Sequence, residues 1–295
     1  MDINHAKKQY FHAKKQAGDW ANPETARTVQ YRVDRFVDWV EKPLEQIDRQ
    51  TITEYLEVLL SIESHLRKPM SPVTINKNIS DIGRFLKHCS MMAWREGDPT
   101  VGVKLSTKRH AMQNRSIDKR LPIPPPKVRR VIKYHTLCEV MAWAGLRNTE
   151  AHQLRVKDLV RFENVWCLDL TPLEPGLQRK SLAAMRVVPV HPSLLKTLLD
   201  CTYGRGPNDK LIDSKIEPKS LNRKLNNKIQ RYIDPNCSLY SLRHSFVDGL
   251  KHQIRRDYLK EIVGHSSPDL IDTTYGSKTP PAILLDQIKK LTYPL

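Results

Sequence analysis

The chain has 295 residues, 39% of them hydrophobic and 27% charged, with a formal net charge of +17. That is enough apolar material for a buried core in one large domain or two ordinary ones, which excludes a disordered polyelectrolyte. No stretch approaches the ~20 consecutive apolar residues of a membrane-spanning helix, and the first residues carry no apolar signal core, so the expectation is a soluble, cytoplasmic protein with no membrane partner.

The charge is unevenly placed. Residues 1–105 carry 16 Lys and Arg against 14 acids, whereas residues 106–295 carry 33 against 18. The basic field of the C-terminal two-thirds favours a polyanion, although charge alone does not separate DNA from RNA or from an acidic membrane. The five cysteines (Cys89, Cys138, Cys167, Cys201 and Cys237) are scattered and form no CxxC pair, as expected of thiols in a reducing compartment. A His-Glu-x-x-His motif, a Gly-rich phosphate loop and a cluster of closely spaced acids are all missing from the sequence. Neither a metal nor a nucleotide cofactor is therefore expected.

The N-terminal region reads as helical. Asn22-Pro23 predicts an N-cap followed by proline at the first helical position, after which Val29, Val33, Phe36, Val37 and Val40 share one face up to about Lys42-Pro43. Thr51 and Glu54 form a capping-box pattern ahead of the stripe Ile52, Tyr55, Leu56, Leu59 and Leu60. Ser71-Pro72 opens a third helix, with Ile75, Ile79, Ile82, Phe85 and Leu86 read as inward and Lys77, Asn78 and Arg84 as outward. A small helical bundle over residues 1–104 follows, with further helix before Asn22. Asn, Lys and Arg suit base edges and phosphates, so Lys77, Asn78 and Arg84 are candidate DNA contacts; a merely solvated helix face has the same composition.

Residues 105–128 read as a basic linker. Lys108, Arg109, Arg115, Lys119, Arg120 and Lys127 surround a stretch with four prolines between positions 121 and 126. Lys108 and Arg109 suit a duplex backbone, and equally a soluble tether.

From residue 129 to 295 the pattern is mixed. Residues 131–143 predict a helix ended by Gly145, and the next begins at Arg147 and continues through Glu150, Leu154 and Leu159. Residues 165–170 and 185–190 predict a β-hairpin around a loop that carries Lys180. Further helices are marked by Leu221, Leu225 and Ile229, by Leu242, Phe246 and Leu250, and by Tyr258, Leu259 and Ile262. A short C-terminal helix has the stripe Ile283, Leu284, Ile288 and Leu291. The fold class is mainly α with a small β-sheet, α+β.

Two arginines, Arg147 and Arg243, precede His265, and Tyr275 follows ten residues later. A guanidinium holds non-bridging phosphate oxygens bidentately, and a deprotonated tyrosine hydroxyl is a covalent nucleophile, so the set suits attack on a phosphodiester. Read singly, each residue has an ordinary alternative in an ion pair, a surface lysine or a packed ring.

The order is more specific than its parts. Gly145-Leu146-Arg147-x-x-Glu150, then Lys180-Ser181 ahead of Arg186-Val187-Val188-Pro189, then Ser241-Leu242-Arg243-His244-Ser245-Phe246, then Val263-Gly264-His265-Ser266-Ser267, then Tyr275, resembles the tyrosine recombinases, also called phage-type integrases. The likeness covers most of residues 129–276. The region before it is similar to the family's core-binding domain in size and pattern rather than in motif.

The resemblance implies a helical core-binding domain and a catalytic domain that form a C-shaped clamp on double-stranded DNA. Tyr275 would attack a scissile phosphate, leaving a 3′-phosphotyrosyl link and a free 5′-hydroxyl. Arg147 and Arg243 would hold the phosphate oxygens, Lys180 would protonate the leaving oxygen, His265 would bond the phosphate or assist proton transfer, and Glu150 would support the site. The family needs no ATP or metal, and assembles from monomers into a homo-tetramer on synapsed sites that passes through a four-way junction. Accessory DNA-bending proteins are further partners within it. Its C-terminal helix commonly docks on a neighbouring subunit; packing against its own domain is the alternative for the stripe seen here.

One position departs from the pattern. The family usually has a histidine three residues before the second arginine, and this chain has Tyr240, whose phenol, with a reference pKa of ~10, is a poorer neutral-pH base than imidazole at ~6.5. This variation and the run from Arg186 to Pro192 look more like mobile-element integrases than chromosome-dimer enzymes. Other tyrosine-mediated DNA enzymes (a type IB topoisomerase or a telomere resolvase) and a non-catalytic DNA-binding protein on the same fold remain alternatives.

Overall fold

A computed structural model describes residues 1–20, 22–62, 69–107, 121–172, 182–212, 214–265 and 278–294. In it the apolar stripes of the N-terminal region become four helices, α1 (Ile3–Gln16), α2 (Pro23–Trp39), α3 (Arg49–Ser61) and α4 (Pro72–Met91). Each starts on a side-chain oxygen that accepts a backbone N–H of the first turn: Asp2 from His5, Asn22 from Glu24, Asp48 from Thr51 and Ser71 from Thr74. The cap of α3 is therefore Asp48, and Thr51 lies inside the first turn with its hydroxyl donating to the same carboxylate at 2.7 Å. Val33, Phe36, Ile52, Tyr55, Leu59, Ile75, Ile82, Phe85 and Leu86 are buried in a core of their own, while Leu60, one position off that stripe, is exposed.

Asn78 is a correction to the outward face read from the sequence. Its side chain is buried, because position 78 falls between Ile75, Ile79 and Ile82 on the inner arc of α4. The amide is satisfied there, accepting from Arg35 Nη2 at 2.7 Å and donating to the Thr74 carbonyl at 2.7 Å. Lys77 and Arg84 do face outward. Arg84 is ion-paired with Asp81, which also accepts from Arg32 at 2.6 Å.

The chain divides into two compact units, Met1–Ser116 and Ile117–Leu295. The second has α5 (Pro125–Ile132), α6 (Thr136–Ala144) and α7 (Asn148–Gln153), then β1 (Leu159–Phe162), β2 (Val165–Asp169) and β3 (Val187–Pro189). It continues with α8 (Pro192–Thr202), α9 (Pro218–Tyr232), α10 (Ser241–Leu250), α11 (Arg256–Val263) and α12 (Pro281–Ile288). Ile123 and Val128 are fully buried and α5 begins at Pro125, so the end of the stretch read as linker is packed structure; proline at the first helical positions makes this compatible with its composition. Lys108 and Arg109 lie outside the described residues.

Two other expectations change. The helix read over 131–143 is interrupted, and His135 accepts from Leu137 N–H at 3.1 Å to start α6. Leu159 belongs to a strand rather than to the helix begun at Asn148. Glu163 and Asn164 both have positive φ, 43° and 69°, and form a two-residue turn that pairs Phe162 with Val165. The sheet is antiparallel in the order β1-β2-β3, with Leu168 opposite Leu159 on one side and Val188 on the other.

The stripe of the C-terminal helix packs within its own unit, the second of the two readings given for it. Leu284, Ile288, Leu291 and Tyr293 are buried in the core of their own unit, and only Ile283 of the stripe is exposed. The segment after α12 is held by Tyr293 Oη donating to the Ala142 carbonyl at 2.9 Å and by Arg129 Nε donating to the Tyr293 carbonyl at 2.8 Å. No described helix is long and apolar enough to cross a membrane.

Candidate active site

Four chain segments meet around one carboxylate. The first is the end of α6, where Gly145 takes the left-handed conformation at φ 62° and a Cβ would lie 2.4 Å from the Phe246 ring. This turn delivers Arg147 to the N-terminus of α7. The Arg147 backbone N–H donates to Glu150 Oε2 at 2.8 Å and its Nη1 to Oε1 at 2.6 Å, closing the first turn with charge-assisted bonds.

The second segment is the end of α11. Gly264 is also left-handed, at φ 65°, and its carbonyl accepts from Arg147 Nη2 at 2.9 Å. A Cβ here would meet Arg186 Nη1 at 2.7 Å and the Ala183 carbonyl at 2.8 Å. The next residue, His265, is exposed.

The third segment is α10. Arg243 is buried, donating through Nη1 to the Gly145 carbonyl at 2.5 Å and through Nη2 to the Val263 carbonyl at 2.6 Å. The same Nη2 lies 3.2 Å from His265 Nε2. Tyr240, at the start of α10, is half-buried and packs edge-on against the His244 ring, centroids 5.0 Å apart.

The fourth segment leads into β3. Arg186 donates through Nη1 and Nη2 to the two Glu150 oxygens at 3.2 Å each, through Nε to the Ile262 carbonyl at 2.6 Å, and through Nη1 to the Ala184 carbonyl at 3.0 Å. Sequence reasoning left this residue out of the site. The hint was a lone arginine entering an otherwise apolar strand.

Three guanidiniums, from Arg147, Arg186 and Arg243, thus surround Glu150. Burial would push the Glu150 carboxyl up, but Arg186 and then Arg147 hold it at about 2. Burial, with the like charge of Arg147, lowers Arg243 to about 10, which leaves it cationic at neutral pH. The cluster carries two positive charges in excess, in surroundings where an unpaired cation is costly. Such a site takes a dianion, or a monoanion that gains charge in a transition state.

The structure brings together Arg147, Glu150, Arg243 and His265, and adds Arg186. Lys180 and Tyr275 lie outside the described residues. Among the described residues no group of three or more His, Cys, Asp or Glu is arranged to hold a metal ion. Another surface the sequence reading passed over is the exposed basic face of α9, where Arg223, Lys224 and Lys228 project and the Lys228 ammonium sits 4.0 Å from the centroid of the Tyr134 ring.

The chain has the tyrosine recombinase or integrase fold. No family model and no curated protein sequence matches it; the likeness is to solved structures. A lambda integrase dimer bound to a COC′ core site is similar at a TM-score of 0.65 and 14% identity, over 95% of this chain and 99% of that one. The Tn1549 transposon integrase in complex with transposon right end DNA is similar at 0.63 and 14%, over 93% and 95%. A lambda integrase tetramer bound to a Holliday junction is similar at 0.62 and 12%, over 95% and 80%.

Proposed function

We propose that the chain is a site-specific DNA recombinase that breaks and rejoins DNA through a 3′-phosphotyrosyl intermediate. The observation that carries this reading is the pair Arg147 and Arg243, set beside His265 with two excess positive charges around Glu150. A phosphodiester brings one negative charge to that site and gains a second as a nucleophile adds. The excess therefore favours the transition state over the bound substrate, and each such donor is commonly worth ~3 kcal/mol.

In this reading Tyr275 Oη passes its proton to His265 as it attacks the phosphorus, the bond from phosphorus to the 5′-oxygen breaks, and that oxygen leaves with a proton supplied by Lys180. The phosphodiester bond energy is kept in the phosphotyrosyl link, so attack by a 5′-hydroxyl of a new partner rejoins the strand without ATP. His265 bonds the phosphate, and Tyr240 acts as a phenol donor rather than as a base. Lys77, Arg84 and the basic face of α9 supply phosphate contacts that position the duplex. Pairing of sites by four copies, through a four-way junction, is part of the same proposal; a neighbour in fold is a tetramer on a Holliday junction. A mobile element is the proposed source, by analogy with the Tn1549 transposon integrase.

The test begins with DNA selected from a random pool by the purified chain, rebuilt with a nick beside each candidate phosphate. Wild type is expected to trap itself on the 3′ end, and Tyr275→Phe to bind the same DNA without trapping. An adduct of equal yield with the Phe variant would overturn the assignment.

A further inference from the structure

We infer that Arg186 is a positioning residue of the cleavage site: by occupying both Glu150 oxygens beside Arg147 it stops that carboxylate from drawing in and neutralising Arg243, whose charge stays available to a phosphodiester. The inference rests on the cleavage reading above and adds a residue to it.

The distances around Glu150 carry the argument. Oε2 accepts from the Arg147 backbone N–H at 2.8 Å and from Arg186 Nη2 at 3.2 Å, while Arg243 Nη1 stays 3.9 Å away, beyond hydrogen-bond reach. Arg243 spends its donors on the Gly145 and Val263 carbonyls instead. Without Arg186 the nearest cation able to fill the emptied position on Oε2 is Arg243. Closing that gap would pull its guanidinium off both carbonyls and away from His265, and would cancel the charge a phosphate needs.

Arg186 is built for this work. It is buried, and its fork reaches Glu150, Ile262 and Ala184 in three directions at once. A lysine ammonium is a single point charge on a flexible stem and cannot span all three. Space for the fork depends on Gly264, where any Cβ would stand 2.7 Å from Nη1. One guanidinium thereby ties the residues six positions after Lys180 to the end of α11, next to His265.

The test compares wild type, Arg186→Met, Arg186→Lys and the double variant Arg186→Met/Glu150→Gln. Four readouts are used: melting temperature, affinity for inorganic phosphate, affinity for the selected DNA, and the rate of covalent trapping on its nicked form. Arg186→Met is expected to trap about 10- to 100-fold more slowly, with DNA affinity within about threefold of wild type, as for other residues that orient a reacting group through a neighbour. Neutralising the carboxylate in the double variant should recover at least about tenfold of that rate, and should restore phosphate affinity, because Glu150 no longer competes. Arg186→Lys should not recover it.

A double variant that folds but traps no faster than Arg186→Met overturns the inference, and so does Arg186→Met trapping at the wild-type rate. If Arg186→Met fails to fold, the folded double variant decides the matter: trapping within about tenfold of wild type supports the charge account, and no trapping refutes it. If wild type itself traps on no DNA, the cleavage reading fails. Phosphate affinity then still decides for Arg186: equal affinity in wild type and the folded variants refutes its role, and loss restored by Glu150→Gln upholds it.

Discussion

Arg186 and Glu150, 36 residues apart in sequence, meet as a two-pronged ion pair with both nitrogen–oxygen distances at 3.2 Å and both side chains almost fully buried. A buried pair of this kind contributes little net stability compared with apolar packing, yet losing one partner leaves an uncompensated charge. The pair fixes the one negative charge around which Arg147 and Arg243 are arranged.

Acid should therefore weaken the fold through Glu150. Its folded pKa, about 2, lies below the ordinary 4.5, so the stabilisation is complete above about pH 4.5 and is lost as pH falls from there through 2. The stability difference between wild type and Glu150→Gln should shrink by roughly 3 kcal/mol between pH 6 and pH 2. Urea denaturation across that range measures it, and a difference independent of pH would contradict the ion pair.

Gly145→Ala should destabilise by about 2–4 kcal/mol, since a left-handed φ and a Cβ 2.4 Å from the Phe246 ring act together. Gly18→Ala is the control: its φ is 66°, but no atom lies within 4 Å of the added methyl, so only the backbone cost of about 1 kcal/mol applies. Calorimetry of the two variants should separate them by several degrees.

Leu291→Ala should lower stability by about 2–4 kcal/mol, because Leu291 is buried after α12 with a methyl in the space beside Gly249. The loss should be the same at low and high protein concentration. A variant that melts like wild type yet assembles poorly would return the segment to a role between subunits.

Lys77 and Asn78 should behave differently although they are adjacent. Lys77→Ala should weaken DNA binding uniformly across sequences and reduce the salt slope by about 1. Asn78→Ala should instead cost about 1–3 kcal/mol of stability by leaving Arg35 Nη2 without its acceptor inside the bundle. Salt-dependent binding isotherms beside melting curves distinguish the two.

Much of this architecture was legible in the residues. Asn22 and Ser71 announced two helices as caps, and Gly145 marked the turn that delivers Arg147. Asn78 was misread because its polarity was weighed above its position: three after Ile75 and four before Ile82, it shares their face. Leu159 was assigned to a helix because an apolar residue five after Leu154 fits a helical stripe loosely. The Glu163-Asn164 turn, which excludes that helix, was the better signal. The role of Arg186 depends on contacts with residues 36 and 76 positions away, which no local pattern encodes. Whether the stripe of α12 faced its own domain or a neighbour was not decidable from periodicity, because both need the same apolar face.

Cleavage in the proposed manner leaves Tyr275 bonded to DNA. Wild type trapped on nicked DNA, digested with nuclease and trypsin, should yield the peptide spanning residues 261–278 with a nucleotide remnant that fragmentation by mass spectrometry places on Tyr275. A remnant on any other residue, or an unmodified peptide recovered in full from the trapped complex, would contradict the account.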